Sequence, residues 1–124
     1  MREIIATEDA PKAVGPYSQA VRSGNILFVS GQLPLDPDTG TMPEGAADQA
    51  RQSMENIKAI LEAAGSGMDR VLRCGIFLAN MGDFGAVNEV YASFFEGDYP
   101  ARATVEVSRL PLGALVEIDA IAEV

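Results

Sequence analysis

Apolar residues recur at two different periods along this chain, and the change of period marks its elements. Ala47, Ala50, Met54, Ile57, Leu61 and Ala64 fall three and four residues apart, the spacing that lines one face of an α-helix. Gly65 and Gly67 end that helix. A second set, Phe84, Val87, Tyr91 and Phe94, predicts another helix, capped by Asp83 and stopped by Gly97 and Pro100. Between them the predominantly apolar run Val71–Ala79 reads as a strand. Residues 1–5 predict a short edge strand. Ser18–Arg22 and Ile26–Ser30 predict a hairpin about the turn Ser23, Gly24 and Asn25, and the run "ILFV" implies burial on both sheet faces. Loops are expected over "ATEDAPKAVGPYS" and "LPLDPDTGTMPEG", where prolines and glycines interrupt regular structure.

The C-terminal segment Pro100–Val124 alternates at period two and predicts a second hairpin. Ala103, Val105 and Val107 alternate with Arg102, Thr104 and Glu106, and Val116, Ile118, Ala120 and Ala122 alternate with Glu117 and Asp119. A register that gathers the apolar set against the helices places Arg102, Thr104 and Glu117 together on the opposite face. The predicted architecture is α+β: a single mixed sheet of about six strands with two helices packed on one face, formed by residues 1–124 as one domain. The other sheet face also carries Leu115 and Ile121, so association between subunits is expected to cover it.

Composition narrows the chemistry. The 124 residues contain no histidine and one cysteine, Cys74, which excludes Ser-His-Asp and Cys-His machinery and any His-based or multi-thiolate metal site. A net charge of −9 repels phosphate backbones and anionic membranes, so neither nucleic acid nor membrane is an expected partner. With a single cysteine, no signal-peptide pattern and no apolar run near the roughly 18 residues of a membrane span, a cytoplasmic protein is expected. Cys74 reads as a small buried residue. Lys12, in a loop, and Lys58, on a helix flank, give little support to Schiff-base chemistry, which leaves carboxylates as the favoured acid/base groups.

Arg102 is read two ways. It is either half of a surface ion pair with Glu106 or Asp119, or a two-pronged anchor for a small carboxylate at the strand entrance. Glu117 is either a solvated sheet carboxylate or a proton acceptor beside that anchor. In "VSGQ", Ser30 and Gly31 mark a place where a ligand can approach backbone. Asn88 reads as a polar helix residue, and Tyr17 as an aromatic that pins its loop.

Taken together, "GPYSQAV", "LFVSGQLPLDPDTG", "DFGAVNEVYASFF" and "YPARATVEVSRLPLGALVEIDAIA" resemble the reactive intermediate deaminase A family, the YjgF-like imine deaminases. The resemblance implies a chorismate-mutase-like homotrimer with clefts between subunits, which hydrolyses 2-imino acids and enamines to 2-keto acids and ammonia without a metal or cofactor. It matches the family's carboxylate-binding arginine to Arg102 and its catalytic glutamate to Glu117, with Tyr17, Ser30, Gly31 and Asn88 at other cleft positions. Thr104 stands where many members carry cysteine. The competing reading is a non-catalytic trimer that binds small 2-keto acids as a regulatory signal; a nuclease is a poorer third.

Overall fold

In the computed structural model, which describes residues 1–124, the chain forms β1 (Glu3–Ile5), β2 (Ala20–Ser23), β3 (Ile26–Gln32), α1 (Ala46–Ala63), β4 (Val71–Leu78), α2 (Phe84–Ala92), β5 (Ala101–Glu106) and β6 (Val116–Glu123). The six strands make one sheet in the order β1-β2-β3-β6-β4-β5. Only β4 and β5 are parallel. Both helices pack on one face, as the two apolar stripes require. Their contact buries Met54, Ile57, Ile60, Leu61 and Val87 against Leu27, Ile76, Leu78, Val116 and Ile118 of the sheet.

The α1 stripe is wider than its apolar residues indicate, because Gln49, Ser53 and Asn56 are buried with it. Two of these amides hold loops. Asn56 donates to the carbonyls of Leu33 and Leu35 at 3.1 and 2.9 Å, and Gln49 bonds Pro43 and the Leu115 amide. At the start of α2, Asp83 makes no side-chain cap bond; Asn80 caps the preceding turn by accepting from the Gly82 amide. The helix ends at Ala92, five residues before Gly97.

The C-terminal hairpin does not form. β5 lies at the sheet edge, joined to β4 through the α2 crossover, and β6 is inserted between β3 and β4. The connecting segment passes over the end of β4, where Val107 donates to Leu78 and Ala79 donates to Leu115. Burial explains the choice. Val116, Ile118, Ala120 and Ala122 are nearly inaccessible, which suits a strand paired on both sides. In β5, Ala103 and Val105 are exposed instead of facing the helices. The "ILFV" run is likewise buried on one face only: Leu27 and Val29 lie in the core, and Phe28 is 50% exposed on the other side.

Candidate active site

The register separates the expected site residues. Arg102 pairs with Cys74 and Thr104 with Ile76, both core positions of β4, so Arg102 and Thr104 lie on the helix face. Glu117 pairs with Phe77 and Asp119 with Gly75, and both carboxylates lie on the uncovered face, alternating with buried Val116, Ile118 and Ala120. The expectation that Arg102, Thr104 and Glu117 share a face is therefore wrong. It assumed that every apolar residue of β5 must face the helices, but at an edge strand α2 offers polar and aromatic groups to a cation.

On the helix face, α2 builds the surroundings of Arg102. Phe84, Asn88 and Tyr91 sit at i, i+4 and i+7, one stripe of the helix. The guanidinium donates from Nη1 to Asn88 Oδ1 at 2.7 Å and lies 5.6 Å from the Phe84 ring centroid and 5.0 Å from that of Tyr91. Asn88, Tyr91, Ala92, Tyr99, Pro100 and Arg102 line an open cavity of about 510 Å³. Beneath it, burial pushes the Cys74 thiol up to about 11 and raises Tyr91, whose hydroxyl faces that thiol, still further. Cys74 is thus an inert buried residue. The Tyr91 hydroxyl and Thr104 Oγ1 are both buried without a hydrogen-bond partner.

The ion pairs considered for Arg102 are absent. Glu106 accepts from the Met81 amide at 2.7 Å, and Asp119 accepts from the Gly75 amide at 2.8 Å on the far face of the sheet. The one hydrogen bond the Arg102 side chain makes within the chain goes to a neutral amide.

On the uncovered face, Glu117 and Asp119 of β6 each pack over a glycine. A Cβ on Gly75 would stand 2.6 Å from Asp119 Oδ1, and one on Gly31 would collide with Glu117 Oε2 and approach its Cδ to 2.9 Å. Gly31 reaches this place through a bulge. Val29 pairs with Ala120 and Gln32 with Ile118, so β3 has one residue more than β6 across that interval. Desolvation holds the Glu117 carboxyl above its ordinary range, and the negative charge of Asp119 adds to the rise. Ser30 donates its hydroxyl to the Ser18 carbonyl at 2.6 Å and its amide to Gln19 at 2.9 Å, which ties the loop bearing Tyr17 to the bulge. Buried Gln19 fastens that loop further through Thr7 and Pro11. Tyr17 itself is half exposed, against a separate cavity with Ile4, Lys12 and Pro37.

One chain therefore presents two separate polar clusters. A cation with neutral partners stands on the helix side of an edge strand, and a carboxyl raised above its ordinary range stands with Ser30 and Gly31 on the bare side of the sheet. Lys12 and Lys58 belong to neither and are exposed. Reasoning from sequence also missed the clamp around Arg102, although the 84, 88, 91 spacing was available, and the glycines beneath the carboxylates, which only strand pairing reveals.

A family model described as Endoribonuclease L-PSP matches residues 7–124. A RutC family protein of Pyrococcus horikoshii is 55% identical over 123 residues, covering 98% of each chain. The 2-iminobutanoate/2-iminopropanoate deaminase of Escherichia coli K12 is 47% identical over 125 residues, again covering 98% of each. The crystal structure of RidA from Psychrobacter sp. PAMC 21119 superposes with a TM-score of 0.96 at 47% identity, covering 98% of this chain and 99% of that one. Since the match runs through both clusters and over nearly the whole chain, the chain belongs to the RidA/YjgF family.

Proposed function

We propose that this protein is a hydrolytic deaminase of small 2-imino acids, working as a homotrimer in which Arg102 of one subunit and Glu117 of a partner complete each site. The observation that carries the reading is the state of Arg102: a half-buried guanidinium at a cavity wall, oriented by an amide and two rings and neutralised by no carboxylate. Such a group is prepared for a carboxylate from outside the chain. Deaminase relatives support the substrate class.

In this mechanism Arg102 binds the substrate carboxylate through two N–H donors. The protonated imine carbon is already electrophilic, so catalysis consists mainly of placing water against it. Glu117 accepts a proton from the attacking water, and a C–O bond forms as the C=N pair moves to nitrogen. Glu117 then returns the proton to that nitrogen, and as the C–N bond breaks it takes up the proton of the new hydroxyl, so that ammonia leaves as the carbonyl forms. The protonated imino acid and water thus give the 2-keto acid and ammonium, the proton left on Glu117 passing to the departing ammonia. A carboxyl held above its usual range suits both directions of transfer, and such a group contributes typically about 10²–10⁴ in rate.

Shared sites also account for the bare sheet face. It exposes a row formed by Val21, Phe28 and Ile121 across β2, β3 and β6, and Val105 beside Phe77; a trimer buries these and brings β5 of one subunit to the carboxylate face of the next. The test is ammonia release from freshly generated 2-iminobutanoate or 2-iminopropanoate against the uncatalysed rate. Acceleration that Glu117→Gln abolishes is expected. Binding of 2-ketobutyrate without any acceleration would instead make the protein a keto-acid sensor.

A further inference from the structure

An arginine that anchors a substrate must keep its fork aimed while it stays charged. These needs conflict, because the usual way to fix a guanidinium is a carboxylate, which also consumes the charge and the donors intended for the ligand. The surroundings of Arg102 resolve the conflict with neutral groups. Asn88 takes one N–H at 2.7 Å, and the Phe84 and Tyr91 rings lie 5.6 and 5.0 Å from the guanidinium carbon. A guanidinium has five N–H donors, so the single bond to Asn88 leaves four.

We infer that Phe84 and Tyr91 are positioning residues for substrate binding: through their rings, α2 fixes the direction of the Arg102 fork without neutralising it. The inference rests on the reading of Arg102 as the carboxylate anchor. The burial pattern separates the two rings. Tyr91 is 4% exposed and belongs to the core, where it also contacts Phe95 at 4.9 Å between centroids. Phe84 is 38% exposed at the first residue of α2. A phenylalanine so placed contributes little to the core, and its ring is set against the one functional cation of this face. The Asn88 amide fixes one edge of the guanidinium and the rings fix its plane, which is what a planar, two-pronged recognition of a carboxylate requires.

Phe84 provides the test, because its exposure lets the fold survive substitution. In Phe84→Leu, loss of the ring should weaken 2-ketobutyrate binding, measured by calorimetry, about tenfold, in line with a partly desolvated cation–π contact. KM for imine should rise by the same factor with kcat nearly unchanged, since the carboxylate is held equally in ground and transition states. Phe84→Tyr should restore both. In the ligand-free protein, the Arg102 side-chain N–H resonances should carry ring-current shifts that shrink in Phe84→Leu and return in Phe84→Tyr. A merely structural Phe84 would lower the melting temperature and leave the KM-to-kcat split untouched. Parent-like affinity and KM in Phe84→Leu would overturn the positioning role. If Arg102→Lys itself left keto-acid binding intact, the anchor reading would fail instead, so the two failures are distinguishable.

Discussion

Arg102 and Glu117 leave opposite faces of the same sheet: Arg102 is in register with core Cys74 on β4, while Glu117 is in register with Phe77 on the uncovered side. If both act on one substrate, as proposed, they must come from different subunits. Arg102→Ala and Glu117→Gln chains, each inactive alone, should regain activity when unfolded together and refolded as mixed trimers. With random assembly, about a quarter of the sites receive an intact arginine from one neighbour and an intact glutamate from the other. Recovery near that fraction is expected in a stopped imine assay; none at all would place both groups in one chain's site.

Gly31 must lack a side chain because Glu117 occupies the space a Cβ would take. Gly31→Ala should leave the trimer and its secondary structure intact yet displace the carboxylate. A shift of about 1 Å in a reacting group costs on the order of a hundredfold, so kcat should fall by roughly that much while 2-ketobutyrate still binds. Unchanged kcat would show that Glu117 has room to move without consequence.

Phe28 is 50% exposed and is flanked by Val21 and Ile121 on the bare face. If that face closes the trimer, Phe28→Glu buries a charge without a partner and should yield monomers by light scattering, with loss of turnover. A trimer that survives this change would have to be built on another surface.

The helices and the order of elements were legible because amphipathic periodicity is a local property and both stripes are long. Among strand neighbours the local β2–β3 hairpin and the N-terminal edge strand were legible too, but the neighbours of β5 and β6 were not, because their pairing is decided by competition across the whole sheet. The segment from Ala101 to Glu123 has the look of a hairpin, yet β4, α2 and β5 form a strand–helix–strand unit that favours parallel adjacency, and the unbroken apolar alternation of β6 suits an interior strand. Reading β5 as an edge strand would have freed Arg102 to face α2. Arg102 and Glu117 were identifiable by resemblance as residues of interest, but their relative orientation depends on register, which alternation within each strand alone does not supply. Gly31 and Gly75 acquire meaning only once β6 is known to lie between β3 and β4.

The Glu117 proton links both stability and activity to pH. Burial and the charge of Asp119 raise its carboxyl above the ordinary range, so between the unfolded and folded values the native chain binds more protons than the unfolded one. Stability contributed by this group is therefore present at low pH and lost as pH rises through the raised value. Glu117→Gln removes that loss, and its melting temperature relative to the parent should increase as pH rises from the ordinary carboxylate range of about 4 through the raised native value. Activity runs the other way, because proton abstraction from water needs the ionised form: kcat/KM should climb with pH on an acid limb set by Glu117. Asp119→Asn keeps an oxygen to accept the Gly75 amide and deletes the charge, so the acid limb should move to lower pH with the fold preserved. If that limb stays in place in Asp119→Asn and persists in the residual activity of Glu117→Gln, the titrating group lies elsewhere and Glu117 is not the base.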